Sequence, residues 1–280
     1  MPFVLITGAT RGIGHAATVE LARRGAEVAL VGRDAERVAE TAEAARAAGG
    51  RAPVHEHVAD LERMDEVRRL AAEVLERYPR IDVLANNAGA MFTSRHVTPD
   101  GLERTFALNH LAPFLLTNLL LDRLRESAPA RVVTTASDAH QSGLLDLDDL
   151  QSENSFRAMR TYGTTKLENI LFTRELARRL EGSGVTANCL HPGVVRTGFG
   201  KNDNPLFRIA ISLAGVFFRS PERGARSLVW LALDPAAAEL NGAYVVDEEV
   251  REPTAQARDD ALASALWGAS ERLAGLPAAA

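Results

Sequence analysis

Tyr162 and Lys166 stand four residues apart in Tyr162-Gly-Thr-Thr-Lys166. On a helix that spacing puts phenol and ammonium on one face. A tyrosine with its ordinary pKa of about 10 is a poor proton donor or acceptor at neutral pH, and a neighbouring cation stabilises its phenolate. The pair therefore reads as a general acid/base for moving a proton on or off an oxygen. By itself the spacing also occurs on many exposed helix faces. Its meaning depends on three other segments, Asn86-Asn-Ala-Gly89, Ser137 and His191-Pro-Gly193, and on where the chain places them.

The elements that position these residues are legible from hydrophobic periodicity. Phe3–Ile6 is an apolar run closed by Thr7-Gly8. A helical pattern follows from Ile13 to Arg24, with Ile13, Ala16, Ala17 and Leu21 on one face and Gly25 as its stop. Further strands are expected at 28–31, 52–58, 82–85, 131–135, 185–190 and 244–246. Helices are expected at 35–48, 63–78, 99–126, 156–180, 220–233 and 257–273. Such alternation implies βαβ units with right-handed crossovers. The expected fold class is α/β: a single doubly wound Rossmann-type domain over residues 1–280, with a parallel sheet of about seven strands and helices on both faces. The three motifs then follow the fourth, fifth and sixth strands, at the carboxyl ends where such sheets bind ligands.

The first strand runs into Gly8-Ala-Thr-Arg-Gly12-Ile-Gly14. One glycine permits the tight turn, one lets backbone approach a pyrophosphate, and one lets helix pack on strand. The spacing is not G-x-G-x-x-G, yet the strand–loop–helix setting points to a dinucleotide. The second strand ends Val31-Gly32-Arg33-Asp34. Position 32 carries no acid to bind a ribose 2′-hydroxyl, though Asp34 stands two residues on, whereas Arg33, with Arg11 as a second candidate, suits a 2′-phosphate. NADP(H) is favoured over NAD(H).

The chain has 280 residues, 32 basic and 37 acidic, for a formal net charge of -5. That balance argues against a nucleic-acid or anionic-membrane partner. A single cysteine, Cys189, reads as a small buried strand residue in a reducing compartment. No segment reads as a signal peptide or spanning helix, so a cytoplasmic location without a transmembrane anchor is expected. His55 and His57, two apart on a strand, read as surface histidines rather than metal ligands, and no metal site is expected. His140 reads as a loop residue and His191 as a packing one. The apolar run Leu206–Phe218 suits either a lid selecting a lipophilic carbonyl or core packing, with peripheral membrane contact a third reading.

Together Thr7-Gly8-x-x-x-Gly12-Ile-Gly14, Asn86-Asn-Ala-Gly89, Asn109, Ser137, Tyr162-x-x-x-Lys166 and Pro192-Gly193-x-x-x-Thr197 resemble the short-chain dehydrogenase/reductase family over nearly the whole chain. The resemblance implies that Tyr162 is the general acid/base and that Lys166 holds the nicotinamide ribose and lowers the tyrosine pKa. It also implies that Ser137 orients the substrate oxygen and that Asn109 supports a water relay from the lysine. Asp60 would cap the adenine, Asn87 would line the ribose, and Val195 and Thr197 would hold the carboxamide. Ile13, Leu61, Ala88, Gly89, Pro192 and Gly193 would complete the dinucleotide site.

Within the family, Tyr162–Asn169, Leu171–Leu180, Leu190–Thr197 and the tail from Gly242 through Asp247 to Trp267 resemble the retinol dehydrogenase and WW-domain oxidoreductase branch. Two departures from that branch are expected: no N-terminal membrane anchor, and Arg11 where the branch often has a smaller residue. The resemblance implies a substrate-covering segment at about 198–222, a C-terminal helical tail at about 250–280, and a homodimer or homotetramer paired through the helices after the fourth and fifth strands. The expected activity is hydride transfer between NADP(H) and a small-molecule carbonyl or alcohol, lipophilic in character: retinal-like, steroid-like, or a long aldehyde or ketone. A non-catalytic NADP(H)-sensing regulator and a sugar-nucleotide epimerase or dehydratase are the rival readings.

Overall fold

Five of the first residues, Phe3–Thr7, form a strand buried on both faces (β1), as expected of a central parallel strand that helices cover on either side. The computed structural model describes residues 1–193 and 219–277. Strands β2 (Glu27–Gly32), β3 (Val54–Val58), β4 (Val83–Asn86), β5 (Ala130–Thr135), β6 (Val185–His191), β7 (Tyr244–Val246) and β8 (Glu249–Arg251) complete one sheet, in the order β3-β2-β1-β4-β5-β6-β7-β8. All neighbours are parallel except β7 and β8. Strand order reverses between β1 and β4, and the crevice above that switch point is where the glycine loop and Asn86–Gly89 emerge.

The helices are α1 (Gly12–Arg23), α2 (Ala35–Gly49), α3 (Met64–Arg77), a single turn α4 (Arg104–Phe106), α5 (Ala112–Leu119), α6 (Leu121–Glu126), α7 (Ala158–Arg179), α8 (Pro221–Leu233) and α9 (Asp260–Leu273). Leu21, Val38 and Leu228, from α1, α2 and α8, pack with Val4, Ile6 and Leu30 on one face. Leu70, Phe114, Leu115 and Phe172, from α3, α5 and α7, pack with Leu5 and Leu84 on the other. Each large side chain so buried contributes about 1.5–3 kcal/mol of transfer free energy. The single Rossmann-type domain expected from the alternation is the one observed.

Three details differ from expectation. The eighth strand follows a hairpin through Asp247 and Glu248, both with positive φ (54° and 65°). Two consecutive left-handed residues usually announce themselves as Asn or Gly, so the acidic pair hid the turn. The helix expected from residue 99 starts only at Arg104. Gly101 makes a turn (φ 78°), Val97 pairs back with Glu103, and the Glu103 carboxylate caps the helix by accepting from Phe106 N at 2.8 Å. A π-helical stretch, Ala107–Leu111, then interrupts the run. Finally, α9 begins at Asp260 rather than Ala257, because Asp259 caps it by accepting from Leu262 N at 2.9 Å.

Candidate active site

The glycine loop is shaped by contacts that leave no room for side chains. A Cβ on Gly14 would stand 2.0 Å from the Gly8 carbonyl oxygen, and one on Gly8 would stand 2.6 Å from Ala88 Cα. Gly8 and Gly12 also take positive φ (64° and 51°). Asn87 ties the loop to its neighbours: its Nδ2 donates to the Thr7 and Gly8 carbonyls at 3.1 and 3.2 Å. Thr135 Oγ1 donates to its Oδ1 at 3.3 Å. The α1 N-terminus, entered through exposed Arg11 and then Ile13, carries no side-chain cap. In contrast, Asp34, Ser220 and Asp259 cap α2, α8 and α9. An uncapped N-terminus behind a positive-φ glycine turn fits a pyrophosphate.

At the far end of the crevice, Arg33 leaves β2 and its Nη1 donates to Glu62 Oε1 at 3.0 Å. Asp60 Oδ1 accepts from Glu62 N at 3.2 Å, and Leu61 is buried beside it. Ala88 and Gly89 continue from Asn87 along the floor of the crevice.

Tyr162 and Lys166 share a face of α7. Lys166 is buried, and its Nζ donates to the Thr135 carbonyl at 3.0 Å while lying 5.6 Å from the centre of the Tyr162 ring. Burial lowers its pKa to about 8. Tyr162 is half-buried. Burial pushes its phenol above the ordinary range, and a hydrogen bond with Ser137 pulls it partly back. Ser137 sits just past β5, where its Oγ also accepts from Ala139 N at 3.1 Å.

Asn109 is fully buried on the π-helical stretch, a helix irregularity that recurs at functional sites. Its Oδ1 accepts from Ala90 N at 2.8 Å, and its Nδ2 donates to Ala90 O at 2.9 Å and Thr165 Oγ1 at 3.0 Å. A Cβ on Gly89 would lie 3.2 Å from both Asn109 Oδ1 and Lys166 Nζ, so Gly89 keeps the space between those groups open. The structure thus gathers Ser137, Tyr162, Lys166 and Asn109 around one point, beside the glycine loop.

Pro192 and Gly193 (φ 81° at the glycine) follow β6. Val195, Thr197 and the whole of Leu206–Phe218 lie outside the described residues, as does the substrate-covering segment up to residue 218.

His191 and His140 buttress the Ser137 turn instead of facing the crevice. His191 Nδ1 accepts from Asp138 N at 3.1 Å, and its Nε2 is 3.2 Å from Asp138 Oδ2. His140 Nδ1 donates to Ser137 O at 2.8 Å. Cys189 is buried, and burial pushes its thiol up to about 12, which leaves it unreactive.

His57 corrects the sequence reading. It is buried, not on the surface, with Nε2 at 2.8 Å from Tyr78 Oη and Nδ1 at 3.2 Å from Glu73. The aromatic ring of Tyr78, far away in sequence, closes over a strand edge that looked solvated. His55 is only half-buried and pairs with Glu27 at 2.8 Å.

The sequence reading missed Thr135 and Thr165, which hold Lys166 and Asn109. Thr135 stood in view, two residues before Ser137. Glu62 and Arg104, which flank Arg33, carried no signal of their own. Among the described residues, no helix is long and apolar enough to cross a membrane.

Comparison with known proteins agrees with this geometry. A family model described as short chain dehydrogenase matches residues 2–205. Retinol dehydrogenase 14 of Mus musculus is 42% identical over 98% of this chain and 86% of its own length. A Streptomyces sp. (strain C5) protein whose name proposes a daunorubicin C-13 ketoreductase, DnrU, is 44% identical over 97% of this chain and 92% of its own. Among solved structures, a Pseudomonas aeruginosa RhlG/NADP active-site complex superposes with a TM-score of 0.71 at 30% identity, covering 88% of this chain and 94% of the other.

Proposed function

The chain belongs to the short-chain dehydrogenase/reductase family of oxidoreductases, and from that premise we propose that it transfers a hydride between NADP(H) and a lipophilic carbonyl or alcohol, with Tyr162 as general acid/base. The observation that carries the reading is the Ser137–Tyr162 hydrogen bond set beside a buried Lys166 anchored on Thr135. When bound, the nicotinamide supplies or accepts the hydride. The proton and the oxygen are the work of this chain. Ser137 holds the substrate oxygen, and Tyr162, neutral in the free protein, gives it a proton during reduction. Lys166 stabilises the phenolate left behind and would hold the nicotinamide ribose. Asn109, locked to Ala90 and Thr165, supports a water relay that restores the proton.

For the dinucleotide, Gly8, Gly12, Ile13 and Gly14 would hold the pyrophosphate, Arg11 would be the second cation after Arg33 for a 2′-phosphate, and Asp60 and Leu61 would take the adenine. Asn87, Ala88 and Gly89 would line the ribose and Pro192 and Gly193 the nicotinamide end, with Val195 and Thr197 assigned to the carboxamide by resemblance alone. NADP(H) is preferred in this reading because Gly32 offers no carboxylate while Arg33 offers a cation. A lipophilic substrate is supported by the exposed side chains of Leu144, Leu147 and Met159, the last one helical turn before Tyr162. It is supported too by the relatives' names, which refer to retinol and to a daunorubicin ketone. The lone, buried Cys189 suits a cytoplasmic setting.

A homodimer or homotetramer remains the family-based expectation. Its interface would have to avoid the face of α7 that this chain covers itself: Trp267 of α9 stacks on Phe172 at 5.9 Å and meets Phe114 edge-on at 4.9 Å.

NADPH oxidation measured against retinal, steroids, long-chain aldehydes and quinones tests the reading. Turnover of at least one class, lowered at least about a hundredfold in Tyr162→Phe with NADPH binding retained, is the expected result. NADPH binding with no turnover of any carbonyl would favour the sensing regulator.

A further inference from the structure

Arg33 is one member of a three-residue ion cluster. The Glu62 carboxylate that meets Arg33 Nη1 at 3.0 Å also receives Arg104, through Nε to Oε2 at 2.6 Å and Nη2 to Oε1 at 3.0 Å. The Arg104 contact is a two-point fork; the Arg33 contact is single. Glu62 is buried and Arg33 is exposed, its side chain 64% accessible. Arg104 is further fixed by lying 3.9 Å over the Phe92 ring. Of the other charges nearby, Asp34 caps α2 through Arg37 N at 3.3 Å, Arg63 pairs with Asp65 at 2.6 Å, and Asp60 Oδ1 accepts from Glu62 N at 3.2 Å.

We propose that Arg104 is a specificity-determining residue for the dinucleotide: by holding both oxygens of Glu62 it leaves the exposed charge of Arg33 only partly compensated and available to a 2′-phosphate. This rests on the NADP(H) reading above. Two guanidinium groups and one carboxylate leave one net positive charge, and it faces solvent on Arg33. Without Arg104 the cluster would be a neutral Arg33–Glu62 pair whose carboxylate opposes an incoming phosphate. A bidentate guanidinium–carboxylate pair outcompetes a single-point one, so Glu62 stays with Arg104 when an anion draws Arg33 away. The cluster sets discrimination through Arg33, while Arg104 itself meets Glu62 and the Phe92 ring.

The test is calorimetric binding of adenosine 2′,5′-bisphosphate and adenosine 5′-monophosphate to the free protein, with the ratio of their Kd values as readout. The two probes differ only in the 2′-phosphate, so a general loss of structure lowers both affinities and leaves the ratio alone. Wild type is expected to favour the bisphosphate, and Arg104→Gln to cut that preference about tenfold. Glu62→Gln should raise it, and the double variant should return near the wild-type ratio, following net charges of zero, two and one. An Arg104→Gln ratio within twofold of wild type overturns the proposal. So does a fall in the ratio for Glu62→Gln, an arm that stands even if Arg104→Gln does not fold. A wild type that fails to favour the bisphosphate sinks the NADP(H) reading itself.

Discussion

Lys166 gives its ammonium to the carbonyl of Thr135 at 3.0 Å, so the cation beside Tyr162 is positioned by the end of β5. The same strand end delivers Ser137 to the tyrosine. One strand therefore sets both neighbours of the phenol, and the helix that carries Tyr162 needs only to pack against it.

A pH profile should report this arrangement. With its pKa lowered to about 8 by burial, Lys166 is charged below that pH and neutral above it, while Tyr162, pushed upward, keeps its proton. In the direction of carbonyl reduction, kcat/KM, which follows the free enzyme, is expected to fall as pH rises through about 8. Lys166→Arg, which stays charged, should remove that break from the measurable range; a break persisting at the same pH would assign it to another group.

Gly14→Ala places a Cβ where the Gly8 carbonyl oxygen lies 2.0 Å away. Either the helix shifts or the loop opens. Equilibrium dialysis with NADPH is expected to show at least a tenfold weaker Kd, on the order of 1.4 kcal/mol or more, with the far-ultraviolet circular dichroism retained.

Stability at acid pH should depend on His110. Fully enclosed near Phe106, Phe114 and Phe172, with Nε2 2.8 Å from Ser270 Oγ, it has its pKa lowered from 6.5 to about 3 by burial. Between those values the unfolded chain binds the proton and the native one does not, so stability falls as pH drops, by about 1.4 kcal/mol per unit. In urea titrations the wild type should lose about 2 kcal/mol more than His110→Gln between pH 7 and pH 5. Equal losses would mean that His110 titrates normally.

Trp267→Ala should destabilise the fold by about 3–5 kcal/mol. The indole is buried between Phe114, Phe172 and the Arg179 guanidinium, which lies 4.4 Å over its ring. Urea unfolding measures the cost. At temperatures where the variant stays folded, KM should be unchanged, because α9 packs on α7 away from the crevice. Sedimentation velocity of the same variant would show whether uncovering that face of α7 drives self-association.

The alternation of strands and helices was legible because burial writes itself as periodicity: β1 and β2 read as apolar runs, and α1 and α3 as amphipathic ones. Gly8 and Gly12 were legible because few other residues tolerate positive φ, and Gly14 because a side chain there would collide with the Gly8 carbonyl. The late start at Arg104 was not, because it depends on Glu103 turning its carboxylate onto the next helical turn. Nor was the β7–β8 hairpin, in which Asp247 and Glu248 accept left-handed backbone without glycine.

Residue order alone therefore determined the class of fold, the dinucleotide loop, and the Ser137–Tyr162–Lys166 group, because each rests on local spacing and on the ends of strands. Tertiary structure decided which atoms meet. It put Thr135 on Lys166, Thr165 on Asn109, Tyr78 on His57, and Arg104 on the Glu62 that faces Arg33. Those pairs come from elements far apart along the chain, and their energies depend on distance and burial, which no spacing within a single segment encodes.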